Sequence, residues 1–439
     1  MSAPADPSSV RDGLLESDRH VLSWYAQARA LFTGSNQVRL LRGGDQLFPA
    51  MHEAIARARH RVWLLTYIFH DDVAGRAMVA ALARAVRRGV RVSVVVDGFG
   101  SGQTLERIGR DLTEAGVRFS VFRPLQGWRS WLQPGQWRRL HHKLCVVDAD
   151  VGFVGGINII DDRLDIHHGW SDSPRLDFAV EVRGPVVAMM EQTARALWTR
   201  SRLGRDWRDE LVELARSSHP VARARRMLRR LRATRWQVVE QALNDPCPVR
   251  VAFVVRDNLW QRRTIERAYI EAIRSARWRV DLVCPYFYPG RAFRRALRQA
   301  AQRGVQVRLL LQGKVDYRMA AWAAQALYDE LLSHRIRIFE YTPAFLHAKV
   351  AVVDEDWATV GSSNIDPLSL LVNLEGNVIV QDAHFVQELA RDIDQAVAAS
   401  REVTVQTLGL PAWRRYLRRG FVAWVARLFM RVAGATGRY

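Results

Sequence analysis

Cysteines are few and scattered in this chain of 439 residues, and lysines are equally scarce. The three cysteines, Cys145, Cys247 and Cys284, lie far apart in the sequence and form no C-x-x-C pair. This spacing excludes a disulfide framework and a cysteine-ligated zinc site. It also favours a reducing compartment for the protein.

Long apolar runs are missing as well. No stretch of ~18 apolar residues occurs, so the sequence predicts no transmembrane helix. The first residues, MSAPADPSSVRDGLLESDRH, lack the apolar core of a secretory signal peptide. Any membrane contact is therefore expected to be peripheral.

Acidic residues are too few to balance the basic ones. Lys and Arg number 65 against 45 Asp and Glu, which gives a net charge of +20. This excess implies an anionic partner, and both nucleic acid and anionic lipid meet that description. A hydrophobic content of 49% and a charged content of 25% are typical of a folded protein, and the length allows two units with separate cores.

Only three of the 65 basic residues are lysines, and two of these belong to a motif that occurs twice. The motif is H-x-K-x4-D, and its copies consist of His141, Lys143 and Asp148, and of His347, Lys349 and Asp354. Random placement of the 12 His and 3 Lys would give only about 0.08 copies of H-x-K. Because a compact ammonium with three donors suits phosphate, the motif predicts a phosphate site.

A glycine turn that ends in asparagine follows each copy of the motif. The two turns are Gly155-Gly156-Ile157-Asn158 and Gly361-Ser362-Ser363-Asn364. We expect the amide groups of Asn158 and Asn364 to donate to phosphate oxygens. The turn residues Gly155, Gly156, Gly361 and Ser362 are further candidates for substrate binding.

The two halves of the chain repeat in more than the motif. The segment ALARAVRRGVRVSVVVDG from Ala81 matches ALRQAAQRGVQVRLLLQG from Ala296. Each predicts a helix, a glycine C-cap at Gly89 or Gly304, and a buried strand. Helix and strand alternate in this way in both halves, which favours an α/β fold with two fused domains rather than a solenoid.

Five regions follow from the repeat and the charge pattern. They are an N-terminal segment (1–36), a first domain (37–200), an arginine-rich linker or helical insert (201–248), a second domain (249–402) and a basic C-terminal segment (403–439). Eight arginines and no acid occur from Arg216 to Arg235, which is compatible with a solvated helix face or with an anionic surface contact.

The chain resembles the phospholipase D superfamily, which is defined by paired H-x-K-x4-D motifs, and within it the bacterial cardiolipin synthases of the B type. The resemblance runs from about residue 37 to 400. Besides the motif blocks, it is carried by Tyr67-Ile68-Phe69 with Asp72 and Gly75, Asp177 with Gly184-Pro185, Arg256-Asp257-Asn258 with Glu266 and Tyr269, Pro285-Tyr286-Phe287, and Asn373-Leu374-Glu375. It implies two tandem, pseudo-twofold-related domains, each a mixed sheet flanked by helices, with the active site at their interface.

A phosphodiester repels nucleophiles, so a metal-free enzyme must supply positive charge and a good nucleophile. His and Lys two positions apart on a strand point to the same side, so two such strands can present two imidazoles and two ammoniums to one phosphate. We assign His141 as the nucleophile, which forms a phosphohistidine, and His347 as the general acid. The reverse assignment stays open because the pair is pseudo-symmetric.

Each histidine needs an acceptor at its second ring nitrogen. The resemblance suggests Asp177 as the partner of His141 and Glu375 as the partner of His347. Asp148 and Asp354 complete the motif and are counted with its catalytic residues. Because they fall on the opposite strand parity, we interpret their role as a structural one at the end of the strand. No metal or cofactor is predicted, and the adjacent pair His167-His168 is interpreted as a solvated loop.

Two aromatic and basic segments predict contact with an anionic membrane. Trp128, Trp131 and Trp137 lie among arginines before the first motif, and Trp413 and Trp424 recur at helical spacing in the arginine-rich C-terminal segment. The alternative for the C-terminal segment is a helix that packs on the core. An apolar mouth lined by Tyr67, Phe69, Tyr286 and Phe287, with Trp131 and Trp137 nearby, would admit a second lipid.

The function predicted from these features is that of a cardiolipin synthase. It would transfer a phosphatidyl group from one phosphatidylglycerol to another and release glycerol, as a peripheral protein on the cytoplasmic side of the inner membrane. A lipid hydrolase, another transphosphatidylase or a nuclease is the alternative, and a non-catalytic membrane-binding module is disfavoured by the two intact motifs. DNA-repair relatives that lack the motif aspartate are disfavoured because Asp148 and Asp354 are present, and a nucleic-acid partner is not expected. The acceptor alcohol and the oligomeric state stay open.

Overall fold

The structure of the protein is a computed structural model. It describes residues 30–124, 138–166, 168–215, 249–256, 263–314, 324–366, 369 and 373–404, and the side chains of 203–215 are not included in this description.

The first half contains a mixed sheet of seven strands. In chain order its elements are β1 (Gln37–Arg42), α1 (Gly43–Arg57), β2 (Arg61–Thr66), α2 (Val73–Arg87), β3 (Arg91–Asp97), α3 (Leu105–Glu114), β4 (Arg118–Phe122), β5 (Leu144–Val147), β6 (Val151–Gly155), the hairpin β7 (Leu164–Asp165) and β8 (Gly169–Trp170), β9 (Phe178–Arg183) and α4 (Val186–Ala215). The sheet order is β1-β9-β6-β5-β2-β3-β4, and the hairpin forms a small sheet of its own.

The second half contains a mixed sheet of eight strands. Its elements are β10 (Arg250–Arg256), α5 (Thr264–Ser275), β11 (Arg279–Val283), α6 (Arg291–Gln302), β12 (Gln306–Gln312), α7 (Tyr328–Leu332), β13 (Arg337–Tyr341), β14 (Val350–Val353), β15 (Trp357–Gly361), β16 (Glu375–Gln381), α8 (Ala383–Ala398) and β17 (Arg401–Val403). The sheet order is β10-β16-β15-β14-β11-β12-β13-β17.

The two sheets have the same strand order, apart from the added β17. In each, three neighbouring strands are parallel (β2, β3 and β4, and β11, β12 and β13), and the motif strand β5 or β14 pairs antiparallel to the first of them. Gly89 and Gly304 have φ values of 86° and 91° after their helices. These left-handed conformations favour glycine, so the predicted C-caps are confirmed.

Both faces of the motif strands are buried, because the two sheets pack against each other and carry helices outside. Leu144 and Val146 face a central core that also contains Val352 of the other half, whereas Cys145 faces the outer core of its own half. Helices α1, α2 and α3 cover the outer face of the first sheet, and α5, α6 and α7 cover that of the second. This burial explains the uninterrupted apolar runs of the motif strands.

Backbone contacts join the halves directly. Leu140 pairs with Leu374 and Leu176 with Leu346 in isolated parallel bridges, so each half contributes a segment beside the motif strand of the other. The predicted α/β architecture of two related domains is therefore confirmed. Helix α4 runs to Ala215 and so continues across the boundary predicted at residue 200.

Candidate active site

The two motifs meet at one edge of both sheets, called the site edge here. It is the edge at which the parallel strands β2, β3, β4, β11, β12 and β13 end. Because β5 and β14 are antiparallel to these strands, they begin at the site edge, directly after the motif histidines. The backbone N–H of His141 donates to Leu374 O at 3.0 Å, and that of His347 donates to Leu176 O at 2.9 Å. Each histidine is thus anchored by the opposite half.

The histidines take their carboxylate partners from the opposite half. His141 Nδ1 lies 3.0 Å from Glu375 Oε2, and His347 Nδ1 lies 2.7 Å from Asp177 Oδ2. The predicted pairing of His141 with Asp177 and of His347 with Glu375 is therefore wrong, although both carboxylates are present. Within the first sheet β6 separates β5 from β9, so Asp177 at the start of β9 is out of reach of His141. The bridge between Leu176 and Leu346 instead brings Asp177 next to His347.

Glu375 is fully buried and keeps its charge. Burial alone would raise the pKa of its carboxyl group, but His141 and Lys143, together with a hydrogen bond from Ser362, outweigh burial and hold the pKa below its ordinary value. The Ser362 hydroxyl donates to Glu375 Oε2 at 2.6 Å. Burial lowers the pKa of His141, although Glu375 opposes this effect.

Asp177 behaves differently from Glu375. Burial raises the pKa of its carboxyl group to about 7, while the charge of Lys349 opposes the rise. Burial also lowers the pKa of His347 well below its ordinary value, and Lys349 adds to that effect. Near neutral pH the Asp177–His347 pair can therefore share an additional proton, whereas the carboxyl group of Glu375 stays ionised.

The two motif lysines lie inside the site with their ammonium groups beside the histidines. Lys143 Nζ donates to His141 O at 3.0 Å, and Lys349 Nζ donates to His347 O. Burial lowers the pKa of Lys143 to about 7 and that of Lys349 to about 8, against the raising effect of the site carboxylates. A phosphate anion between the two lysines would restore their charge.

Asn158 and Asn364 are both buried near the histidines. Asn158 Oδ1 accepts from the backbone N–H of Ile68 at 3.2 Å. This contact orients the side-chain amide of Asn158 and does not use its two N–H donors. Asn364 Oδ1 is buried without a hydrogen-bond partner in the described chain. The orientation of the Asn158 amide fits the predicted donor role, and the donor role of Asn364 stays a prediction.

The other turn residues do not fit the predicted role in substrate binding. A Cβ at Gly156 would lie 2.2 Å from Asp177 Oδ1, one at Gly155 would lie 2.4 Å from Phe178 O, and one at Gly361 would lie 2.2 Å from Asn377. These glycines thus make room for neighbouring groups.

The donors of the turns are also engaged. The backbone N–H groups of Gly156, Gly361 and Ser362 donate to Phe178 O, Lys349 O and Gly376 O. The Ser362 hydroxyl is engaged by Glu375. The prediction that Gly155, Gly156, Gly361 and Ser362 bind substrate is therefore corrected: these residues support the carboxylates and the strand ends.

Asp148 and Asp354 lie at the far ends of β5 and β14, away from the histidines. Asp148 has a φ of 53° and accepts from the backbone N–H groups of Arg59, His60 and Arg61 at 2.6–2.9 Å. Asp354, with a φ of 52°, accepts in the same way from the three backbone N–H groups of residues 277–279. This geometry agrees with the structural interpretation and places both residues outside the catalytic group.

A matching pair of residues at the ends of β3 and β12 was not predicted from the sequence. Asp97 Oδ2 accepts from the backbone N–H of Leu140 at 2.8 Å, and Gln312 Oε1 accepts from that of Leu346 at 2.8 Å. Both acceptors therefore hold the residue that precedes a motif histidine. Asp97 and Gln312 occupy matching positions of the internal repeat, which is the signal that could have revealed them.

Tyr67 was predicted only as part of an apolar mouth, but it contacts the site itself. Its ring lies 4.8 Å from the ring of His141, and Lys143 Nζ lies 5.3 Å from the ring centre. Phe69 and Phe287, in contrast, are fully buried in the outer cores, so the prediction that they line the mouth is wrong. Strand β2 ends at Thr66 and the chain bends at Tyr67, so Tyr67 and Phe69 do not share the common side that residues two positions apart on one strand would have.

Several predicted features lie outside the described residues. These are Trp128, Trp131, Trp137, His167, Asp257, Asn258, the stretch from Arg216 to Arg235 and residues 405–439. His168, which is described, is exposed and lies 2.9 Å from Asp165 through Nδ1. Within the described ranges no group of three or more potential ligands is arranged to hold a metal ion. In the same ranges, no helix has the length and apolar character that a membrane span requires.

Comparisons with known proteins agree with this geometry. The family described as "Cardiolipin synthase, PLD-like domain" matches residues 51–169 and 269–397. The chain is 36% identical over 376 residues to cardiolipin synthase B of Escherichia coli strain K12, covering 85% of this chain and 83% of that one. It is 32% identical over 372 residues to cardiolipin synthase A of Pseudomonas putida strain GB-1, covering 85% and 71%.

Solved structures also match, and one of them covers almost the full length of this chain. Phosphatidylserine synthase of Haemophilus influenzae Rd KW20 matches with a TM-score of 0.61 and 12% identity, covering 94% of this chain and 99% of that one. At this identity the likeness concerns the fold alone.

Proposed function

This chain belongs to the cardiolipin synthase family of phospholipase D-like enzymes, and on that premise we propose that it transfers a phosphatidyl group from one phosphatidylglycerol to another. The products are cardiolipin and glycerol. The observation that carries the proposal is the crosswise arrangement in which His141 contacts Glu375 and His347 contacts Asp177. Two oriented imidazoles and two ammoniums at one site match the needs of phosphodiester transfer.

In the first half-reaction His141 is the nucleophile. Its Nδ1 is held by Glu375, which leaves Nε2 to attack the phosphorus of the donor lipid. The P–O bond to the glycerol headgroup breaks as the P–N bond forms, and the departing glycerol oxygen takes a proton from His347. The negative charge of Glu375 stabilises the positive imidazole ring of the phosphohistidine, which supports this choice of nucleophile.

The Asp177–His347 pair suits the acid role. Because burial raises the pKa of Asp177 to about 7, the pair can supply a proton near neutral pH. In the second half-reaction the same pair accepts the proton of the incoming hydroxyl group. That oxygen then attacks the phosphorus, the P–N bond breaks and the His141 imidazole is free again.

Lys143 and Lys349 bind the non-bridging phosphate oxygens and balance the charge that develops there. The amide N–H groups of Asn158 and Asn364 add further donors. Both lysines are almost completely buried, so their interaction with a phosphate is stronger than it would be in water. Exclusion of water from this site favours a lipid alcohol over hydrolysis.

We place the enzyme as a peripheral protein on the cytoplasmic side of the inner membrane, with phosphatidylglycerol and an anionic membrane surface as its partners. The net charge of +20 supports this placement. The basic C-terminal segment (403–439) and the segment with Trp128, Trp131 and Trp137 are proposed membrane contacts.

The test is a product analysis with vesicles that contain phosphatidylglycerol as the reacting lipid. Cardiolipin and glycerol in equal amounts, with little phosphatidic acid, are expected, and His141→Ala and His347→Ala should each lower turnover by about 10²-fold or more. Phosphatidic acid as the main product would identify a hydrolase, and cleavage of DNA without lipid turnover would identify a nuclease. An acid quench that traps the lipid phosphate on His141, and not on His347, would assign the nucleophile.

A further inference from the structure

In the described part of the chain, large hydrophobic side chains are exposed at few places, and most of these places lie at the site edge. Among the described residues, four are exposed: Val73 (68%), Phe99 (44%), Trp170 (67%) and Trp278 (54%). The first three belong to loops and helix starts at the site edge. Trp278 precedes β11 and so lies at the opposite edge of the sheets.

Contacts at the site edge tie Phe99, and the hairpin that carries Trp170, to the active site. Arg139, two residues before His141, stacks its guanidinium 5.1 Å from the centre of the Phe99 ring. Trp170 belongs to the hairpin of β7 and β8, in which the ring of His168 lies 5.4 Å from that of Phe345. Phe345 O accepts from Leu176 N, beside the carboxylate of the second histidine pair.

Val73 completes the group from the same half. It is the first residue of α2, which begins after the loop that leaves β2 at the site edge. Nearby, the carboxylate of Asp71 contacts both Arg76 and Arg107, so it is balanced by neighbouring charges. We call Val73, Phe99 and Trp170 together the apolar rim. The carboxylate of Asp71, in the loop before Val73, is paired with arginines and so does not leave an unbalanced negative charge beside this rim.

The second half contributes positive charge near the same edge. Helix α6 begins there, and its first two turns carry four arginines that line a cavity of about 230 Å³ together with Glu330: Arg291, Arg294, Arg295 and Arg298. Glu330 contacts Arg294 and Arg298. Arg291 and Arg295 are exposed and make no ion pair within the described chain, so their charges are available to an anionic partner.

Positive charge alone does not show which edge of the sheets faces an anionic membrane, because arginines occur at both edges. At the opposite edge Arg59 and Arg91 line an open cavity of about 430 Å³ with His60 and Asp148. The position of the histidines decides between the edges. A phospholipid whose acyl chains stay in the bilayer brings its phosphate only to the membrane surface, so the edge that carries the histidines must face that surface.

We propose that the site edge is the membrane-docking surface, with the apolar rim entering the interface and Arg291 and Arg295 on the headgroups of an anionic phospholipid bilayer. Aromatic and aliphatic side chains settle at this depth, and arginines bind anionic headgroups. In this orientation the histidines open directly onto the lipid. The inference deepens the proposed function and rests on a lipid being the substrate.

The chain offers a matched pair of variants for the test. Trp170→Ala removes the aromatic ring from the apolar rim, and Trp278→Ala removes the same ring, similarly exposed, from the opposite edge. Flotation of the full chain with vesicles of phosphatidylglycerol and phosphatidylcholine measures binding. We expect Trp170→Ala to lower the partition coefficient about tenfold and Trp278→Ala to leave it unchanged. Val73→Ser is a second rim variant, with a smaller expected loss of about threefold.

A second matched pair tests the charges. Arg291→Ala/Arg295→Ala should weaken vesicle binding and reduce its dependence on salt, because two headgroup contacts are lost. Arg59→Ala/Arg91→Ala removes the same charge from the opposite edge and should have a smaller effect. Circular dichroism confirms that each variant is folded.

The outcomes separate this inference from the proposed function. Unchanged flotation of both rim variants, or loss of flotation in Trp278→Ala, would overturn the docking surface even if the wild-type chain makes cardiolipin on the same vesicles. A wild-type chain that floats but does not turn over phosphatidylglycerol would refute the proposed function instead. Loss of flotation in Trp170→Ala and Val73→Ser, with turnover by the wild-type chain, would support both.

Discussion

Replacement of Lys143 by methionine should stabilise the fold while it abolishes catalysis. Lys143 is only 6% exposed, and burial lowers its pKa from the ordinary 10.5 to about 7. At ~1.4 kcal/mol for each tenfold change in affinity for the proton, holding the lysine in this site costs up to about 5 kcal/mol. Methionine has a similar length and no charge, so the variant avoids this cost.

The pH dependence of the effect has a definite sign. Below pH 7 both the folded and the unfolded wild-type chain hold the proton, so the wild type bears the full cost. Between pH 7 and 10.5 the unfolded chain holds the proton and the folded chain releases it, so the stability of the wild type rises with pH in this window. The advantage of Lys143→Met is therefore largest at pH 6.5 and almost absent by pH 10.

Urea denaturation of both proteins at pH 6.5, 8 and 9.5 measures this advantage. Lys314→Met is the control, because Lys314 is half-buried two residues after β12. Among the described residues its ammonium donates to Pro343 O and lies 5.9 Å from the centre of the Phe345 ring, outside the histidine pairs. An advantage of Lys143→Met that does not change with pH, or a loss of stability at pH 6.5, would refute the reasoning. It would mean that Glu375 compensates the lysine charge in the folded protein. Turnover by the variant should fall by about 10²-fold or more.

Three further predictions follow from the geometry. Glu375→Gln should shift the ring ¹⁵N signals of His141, and Asp177→Asn should shift those of His347; the reverse pattern in NMR spectra would contradict the crosswise pairs. Asp148→Ala removes the acceptor of three backbone N–H groups and should lower the free energy of unfolding by about 2–4 kcal/mol. The fraction of the variant that is folded should keep its turnover. A fully stable variant without activity would show that this residue acts in catalysis. Because burial lowers the pKa of His141, the acid limb of kcat/KM for short-chain phosphatidylglycerol should lie below pH 6.5, and a limb above pH 7 would contradict the assignment.

The residues around the motifs differ in how far the sequence could predict them. The roles of Gly89 and Gly304 followed from the sequence because a helix that ends in a left-handed residue needs glycine locally. The structural interpretation of Asp148 and Asp354 followed from strand parity, which is also a local property. By contrast, Ser362 was predicted to bind substrate, and only the structure reveals that its hydroxyl donates to Glu375, 13 positions away.

The histidine pairs mark the limit of what the sequence determines. Periodicity, repeat and motif spacing determine two related α/β halves and two strands that each present a histidine and a lysine on one side, because these patterns depend on neighbours along the chain. His141 and Glu375 are 234 positions apart, and Asp177 and His347 are 170 apart. Which carboxylate reaches which histidine is decided by the packing of the two sheets and by the bridges between Leu140 and Leu374 and between Leu176 and Leu346. Only the tertiary structure creates those contacts, and with them a single site from two similar halves.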